Sequence, residues 1–407
     1  MGIFDWFTGP PSPEKFSTIA VNGLRAQGYA HPIEVDQAQF RLLIGADGKQ
    51  IFNLTNFYRD YCRVGRAERP QVMQAYLKSM MAEELPSSFA AAKARLLPVL
   101  RSRSMIEYVA LSATTDADAA RLPAAQPLSA DAAIMLAFDT EHAMMTLTAA
   151  TLAGWDVGFA DALAAASDNL RDRTVSCFDQ IAPGLFLGTW NDSYDTSRLL
   201  FPDVLYQLGV AGEPVAMIPT RNRLLVASAN DRDAQLAMIA LARQFADEEG
   251  RQVSALMYHY QQGRPVEYLP VYPDVLARLS DWRRKILAED YAGQKDMLAK
   301  AHAQAGVDVF VASFQVIASA ESGREASFSV WTEDVDTLLP ETDLVALVST
   351  AELDGEKRTG PPKLVAWNDL LEATGPFARE ADRYPVRYRP VNFPDKAARE
   401  ALPATEL

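Results

Sequence analysis

The stretch Pro214-Val215-Ala216-Met217-Ile218, then Pro219-Thr220-Arg221-Asn222, then Arg223-Leu224-Leu225-Val226-Ala227-Ser228, reads as two apolar strands joined by a polar turn. Asp231 follows as a helix N-cap, and the helix runs to Glu249, where Gly250 stops it. Leu236, Ile239, Ala240 and Phe245 are predicted to share its apolar face. Working outward, the same grammar repeats. Strands at 175–179 and 185–189 flank Ala182-Pro183-Gly184, and strands at 253–258 and 266–271 flank Gly263. Helices are predicted from Asp156, as N-cap, to about 170, over 196–207 and over 273–290. The order helix, hairpin, helix, hairpin, helix, hairpin, helix predicts an α+β protein. Its repeated helix/β-hairpin units form mainly antiparallel sheets covered by helices.

The flanks read as further modules. Ser12 and Pro13 open a helix over 14–27, strands follow at 40–44 and 50–54 around Gly45-Ala46-Asp47-Gly48, and helices at 55–62 and 70–84 complete an N-terminal α+β domain, 1–112. The Ala-, Asp- and Pro-rich residues 113–130 read as a linker or loop. The central domain is 131–292. An acidic accessory α+β domain at 306–395 has a hairpin around Glu321-Ser322-Gly323-Arg324, a strand at 344–349 and a helix at 367–373, with a frayed tail after Pro394.

Charge argues against nucleic acid. The net charge is −14, and the local balance runs from +2 over 1–100 to −8 over 301–407, so no region has the basic excess that phosphate neutralisation requires. Cys62 and Cys177 lie far apart and neither belongs to a CxxC pair, which speaks against a disulfide framework or zinc ribbon. Four histidines without HExxH give no metal pattern. GxGxxG, GxxxxGK[ST] and GxSxG are all missing, so no cofactor is implied. No apolar run is long enough for a membrane span, and the start does not read as a signal peptide. A cytoplasmic bacterial protein is expected. Phe4, Trp6 and Phe7 read as a short turn docked on their own domain.

The centre also carries a recognisable series. It begins Phe138-Asp139-Thr140-Glu141 and passes through Gly154-Trp155-Asp156 and Ala165-Ala166-Ser167-Asp168-Asn169-Leu170. It continues in Tyr194-Asp195-Thr196-Ser197-Arg198-Leu199 and Gly212-Glu213-Pro214 onward to Arg221. Over roughly 135–272 this resembles the YtpQ-like family, bacterial proteins without an assigned activity. The resemblance implies a fold unit and no chemistry. Where the family pattern has an Arg-Asp pair this chain reads Arg221-Asn222, so a carboxylate is missing there.

Tyr194, Asp195, Ser197 and Arg198, with Arg221, are the candidate ligand-binding residues. In one reading Arg198 and Arg221 grip an anion that Asp195 helps orient. In the other, Asp195 caps the following helix, and Arg198 pairs with Asp195 or Asp192 at an exposed helix start. Arg223 then stands with Arg221 in a solvated turn. The leading expectation is a non-enzymatic module that binds a protein partner. The alternative is an enzyme or ligand-binding protein acting on a small anionic substrate through Asp195, Arg198 and Arg221. No feature specifies an oligomeric state.

Overall fold

The computed structural model describes residues 10–44, 50–81, 85–113, 115–140, 143–319, 323, 325–353, 356–380 and 383–405. The aromatic start, the turn 45–48, and Glu141, Glu321, Ser322 and Arg324 lie outside the described residues. The chain divides into two compact units, one of 1–95 with 137–145 and one of 96–136 with 146–407. This division differs from the predicted one at both 113 and 306.

In the first unit, Ser12 caps the helix Pro13–Ala26 by accepting from the Lys15 amide. A three-stranded antiparallel sheet follows, Ile33–Asp36, Arg41–Ile44 and Gln50–Asn53, then the helices Leu54–Arg63 and Arg69–Met80. Its first strand was not predicted, because four residues of alternation are too short a signal. The core is aromatic: Phe16 meets Phe57 edge-on at 4.7 Å, and Phe57 stacks on Tyr76 at 4.4 Å.

The second unit is built on the predicted hairpins. Phe178–Ala182 with Leu185–Gly188, Pro214–Met217 with Leu225–Ser228, and Met257–Gln261 with Arg264–Tyr268 form one six-stranded antiparallel sheet. The helix Arg232–Glu249 covers one face together with the N-terminal part of Pro273–Ala305, burying Met217, Leu225, Met238, Ile239 and Trp282 between them. The opposite face is buried too. On it the Tyr258 hydroxyl meets the Ser129 and Ser254 hydroxyls, and the Tyr260 hydroxyl donates to the Leu199 carbonyl at 2.9 Å. Of the two readings of 113–130, linker or loop, the stretch takes the form of a loop with short elements of its own. It carries the exposed strand Ala125–Pro127, paired with Ala132–Asp139, and leads into the half-buried turn that holds Ser129.

Several predicted elements change for identifiable reasons. Asp156 has φ 55° and caps nothing, and Gly158 occupies the N-cap of Phe159–Asp172. The predicted helix over 196–207 becomes a 3₁₀ turn, Asp195–Leu200, and a short helix, Pro202–Tyr206, because Pro202 lacks an N–H and holds Phe201 extended. The helix begun at Pro273 continues to Ala305, since Tyr291, Gln294 and Leu298 are buried along it. The tail is not frayed: Asp395 caps Lys396–Ala401, and Leu402 joins the core of Trp331, Val345 and Trp367.

In the helix Arg232–Glu249 the buried stripe is Ala234, Gln235, Met238, Ile239 and Ala242, whereas Ala240 is exposed and Phe245 only half-buried. Asp231 caps it as expected, accepting from the Ala234 amide at 2.9 Å. Asp231→Ala is expected to lower the unfolding free energy by about 1 kcal/mol, read from urea melts.

Candidate functional site

The structure gives the predicted residues separate partners. Arg198 is fully buried, not set at an exposed helix start. Its Nη1 and Nη2 donate to the two carboxylate oxygens of Asp192 at 2.9 and 2.6 Å, and its Nε donates to the Thr174 hydroxyl at 3.1 Å. The guanidinium also lies 4.4 Å from the Trp190 ring centre. Burial alone would raise the Asp192 carboxyl, but the Arg198 fork and the Tyr194 amide outweigh it and hold it below its ordinary value. Arg198 thus closes its own loop.

Asp195 does not cap a helix. The backbone turns back through Asn191 and Ser193, both at positive φ, so the carboxylate faces the Asn191 amide and accepts from it at 3.0 Å. Burial raises its pKa, and neighbouring Asp192 adds to the shift. Tyr194 and Ser197 are buried beside it.

Arg221 has its Nη2 3.3 Å from the Met105 sulfur, and its carbonyl accepts from the Thr196 hydroxyl. Buried Arg101 feels the like charges of Arg221 and Arg251; burial first, then that repulsion, brings its pKa down to about 9. Arg223 is not a solvated cation. It donates to Glu249 at 2.7 Å and lies 4.5 Å from the Phe245 ring centre. Glu249, at a helix end where its charge opposes the macrodipole, is held there by Arg223 and by the Thr220 hydroxyl.

A concave site lies elsewhere in the second unit. A cleft of about 540 Å³ is lined by Arg283, Arg284 and Leu287 of the long helix, by Arg103, by Arg379 and by Tyr384. Glu341 and Asp343 stand exposed at its rim. The volume suits a small ligand or the end of a larger one. Two of the arginines are engaged. Arg284 bonds Asp281 at 3.0 Å and Asp343 at 3.4 Å, while Arg103 bonds the Ala130 carbonyl at 3.1 Å and lies 5.2 Å from the Tyr384 ring centre. Arg283 and Arg379 make no hydrogen bond or ion pair with another described residue. Two unspent planar forks in one concavity can take a carboxylate, sulfonate or phosphate group.

The same unit also holds acids whose pKa burial raises. Asp131 accepts from the Ala255 amide and from the Ser254 and Ser129 hydroxyls, with burial raising its pKa against these bonds. Asp290 is raised to about 6, chiefly by burial, against hydrogen bonds from Ser104 and Tyr384. Glu107 is also raised by burial, and pairs with Arg383 at 3.4 Å. Burial keeps Tyr384 a neutral phenol.

No sequence signal announced this cleft. Its residues come from four distant parts of the chain, and only the adjacent Arg283-Arg284 pair hints at it. Among the described residues no group of three or more His, Cys, Asp or Glu is placed to hold a metal, and no helix is long and apolar enough to cross a membrane. Comparison of the chain with protein-family models, curated proteins and solved structures finds no match.

Proposed function

We propose that the protein is a binding module that captures an anionic group in the arginine-lined cleft. The observation that carries this reading is the placing of Arg283 and Arg379 in one concavity, neither with a hydrogen bond or ion pair to another described residue, with Arg283 in electrostatic reach of Asp131 and Tyr384 and Arg379 of Tyr388. Like-charged guanidinium groups in one concavity repel each other, and an anion that joins them relieves that repulsion. The expected protein partner would offer such a group as an acidic side chain or a C-terminal carboxylate, and a small metabolite would offer the same chemistry. The likeness of 135–272 to the YtpQ-like proteins adds no chemistry to this reading, and the cluster around Arg198 is taken as scaffold.

The test is a thermal-shift and calorimetric series at fixed ionic strength. The probes are oxalate, benzene-1,3-disulfonate and a short peptide ending in two aspartates. Wild type is expected to bind at least one of them. Arg283→Gln and Arg379→Gln are each expected to weaken that binding roughly tenfold or more, the loss of a charge-assisted bond. Binding of the peptide alone would assign the cleft to a protein partner, and binding of the small anions to a metabolite. No binding of any probe by wild type would overturn the reading.

A further inference from the structure

We infer that the anion taken by this cleft belongs to a small zwitterion of the amino-acid kind, its carboxylate on Arg283 and Arg379 and its ammonium on Glu341; the inference rests on the cleft being the anion site. The strands Thr337–Pro340, Arg387–Arg389 and Ala378–Arg379 are neighbours in that order. Leu339 stands opposite Tyr388, and Tyr388 opposite Arg379. Directly opposed residues point to the same face of a sheet, so the three form one row across three strands. Glu341 lies two residues beyond Leu339, and its carboxylate accepts from the Tyr388 hydroxyl at 3.0 Å. The acid therefore stands at the Leu339 end of the row and the guanidinium at the other, two strand spacings or about 10 Å apart at the backbone. The Tyr388 phenol lies between them, in the field of both.

Of the two acids at the rim only one is spent. Asp343 accepts from the Ser327 amide and hydroxyl, both at 2.7 Å, and from Arg284 at 3.4 Å. Glu341 makes no ion pair with another described residue. Its backbone is nonetheless fixed to the long helix. The Glu341 amide donates to the Tyr291 hydroxyl at 3.2 Å, and that hydroxyl donates to the Val386 carbonyl at 2.6 Å. A carboxylate held at the mouth of an anion site has a cost for a simple anion, which it repels. It attracts a ligand whose far end is a cation. Unpaired charges of both signs in one cleft therefore select by charge pattern. A zwitterion gains at both ends, whereas a dianion gains at the arginines and loses at Glu341. Leu287, Phe314 and Trp367 also line the cleft, and this apolar surface suits a short methylene chain between the charges.

Calorimetry at fixed ionic strength with 6-aminohexanoate, hexanoate and oxalate tests this. Hexanoate has the same carboxylate and chain as 6-aminohexanoate and lacks the ammonium. Wild type is expected to bind 6-aminohexanoate roughly tenfold or more tightly than hexanoate. Glu341→Gln is expected to abolish that preference and to bind oxalate roughly twofold or more tightly than wild type does, because the repulsion is gone. Arg379→Gln is expected to weaken both monocarboxylates. Glu341 is exposed, so the Glu341→Gln protein should melt like wild type, and its binding can be read without a folding defect. Equal binding of 6-aminohexanoate and hexanoate by wild type would overturn the zwitterion and leave the anion site standing, as would binding of oxalate without 6-aminohexanoate. A preference that survives in Glu341→Gln would overturn the role of Glu341. Failure of wild type to bind any of these carboxylates or benzene-1,3-disulfonate would remove the anion site, and this inference with it.

Discussion

Arg198→Lys lowers the unfolding free energy by about 2–4 kcal/mol, while Arg171→Lys costs less than about 1 kcal/mol, both read from urea melts. The two arginines make the same kind of contact. Each forks onto an aspartate, Arg198 onto Asp192 and Arg171 onto Asp203. The difference is water. The Arg171 side chain is 50% exposed and that of Arg198 is 0% exposed. A lysine at 198 has a single ammonium where three guanidinium nitrogens now donate, so it leaves the Thr174 hydroxyl or one Asp192 oxygen without its bond. It also forfeits the flat contact with Trp190, whose own Nε1 is fixed on the Val175 carbonyl at 2.6 Å. Equal small losses for the two variants would show that the interior site is wet.

Asp290→Asn gains about 2–3 kcal/mol at pH 7.5 and almost nothing near pH 4. The sign follows from the direction of the shift. Burial pushes the folded-state carboxyl up to about 6, above its ordinary value of 3.8, so the folded state binds the proton more tightly than the unfolded chain does. The stability this supplies is complete below about pH 4, is lost as pH rises through about 6, and stays lost at neutral pH. An amide carries no charge and pays no such penalty, yet its oxygen still accepts from Ser104 or Tyr384. Paired denaturant melts of wild type and variant at the two pH values check this. A variant less stable at pH 7.5 would mean that the ionised carboxylate holds the helix Pro273–Ala305 in place. The neighbouring contacts argue otherwise. That helix is already anchored by fully buried Arg387, which donates to Gln294, and to the carbonyls of Ala312, Leu338 and Tyr291.

A penalty of this kind marks a candidate functional group, because a protein that keeps an acid buried at a stability cost retains a group able to exchange a proton. The Arg283 and Arg379 variants separate anion binding from folding. Arg379 is exposed, so its replacement should leave the melt unchanged while altering anion binding.

The sequence by itself determined the class of fold, the three hairpins of the six-stranded sheet, and the caps at Ser12 and Asp231. Those features are local: a strand pair declares itself through apolar runs either side of a turn, and a cap through one polar side chain three residues from the amide it serves. Leu96–Ser102 and Ala132–Asp139 escaped the sequence reading because they are buried on both faces and show no alternation, and Pro98 further masks the first. The fate of each arginine was decided only by tertiary structure. Arg198, Arg223 and Arg283 look alike in sequence, yet one is buried and closed on Asp192, one is tied to Glu249, and one faces a cleft. The cleft needs Arg103, Arg283, Arg379 and Tyr384 together, and nothing at short range links those positions. Their convergence follows from how the helices pack, and so do the burial that raises Asp290 and the charges that surround it.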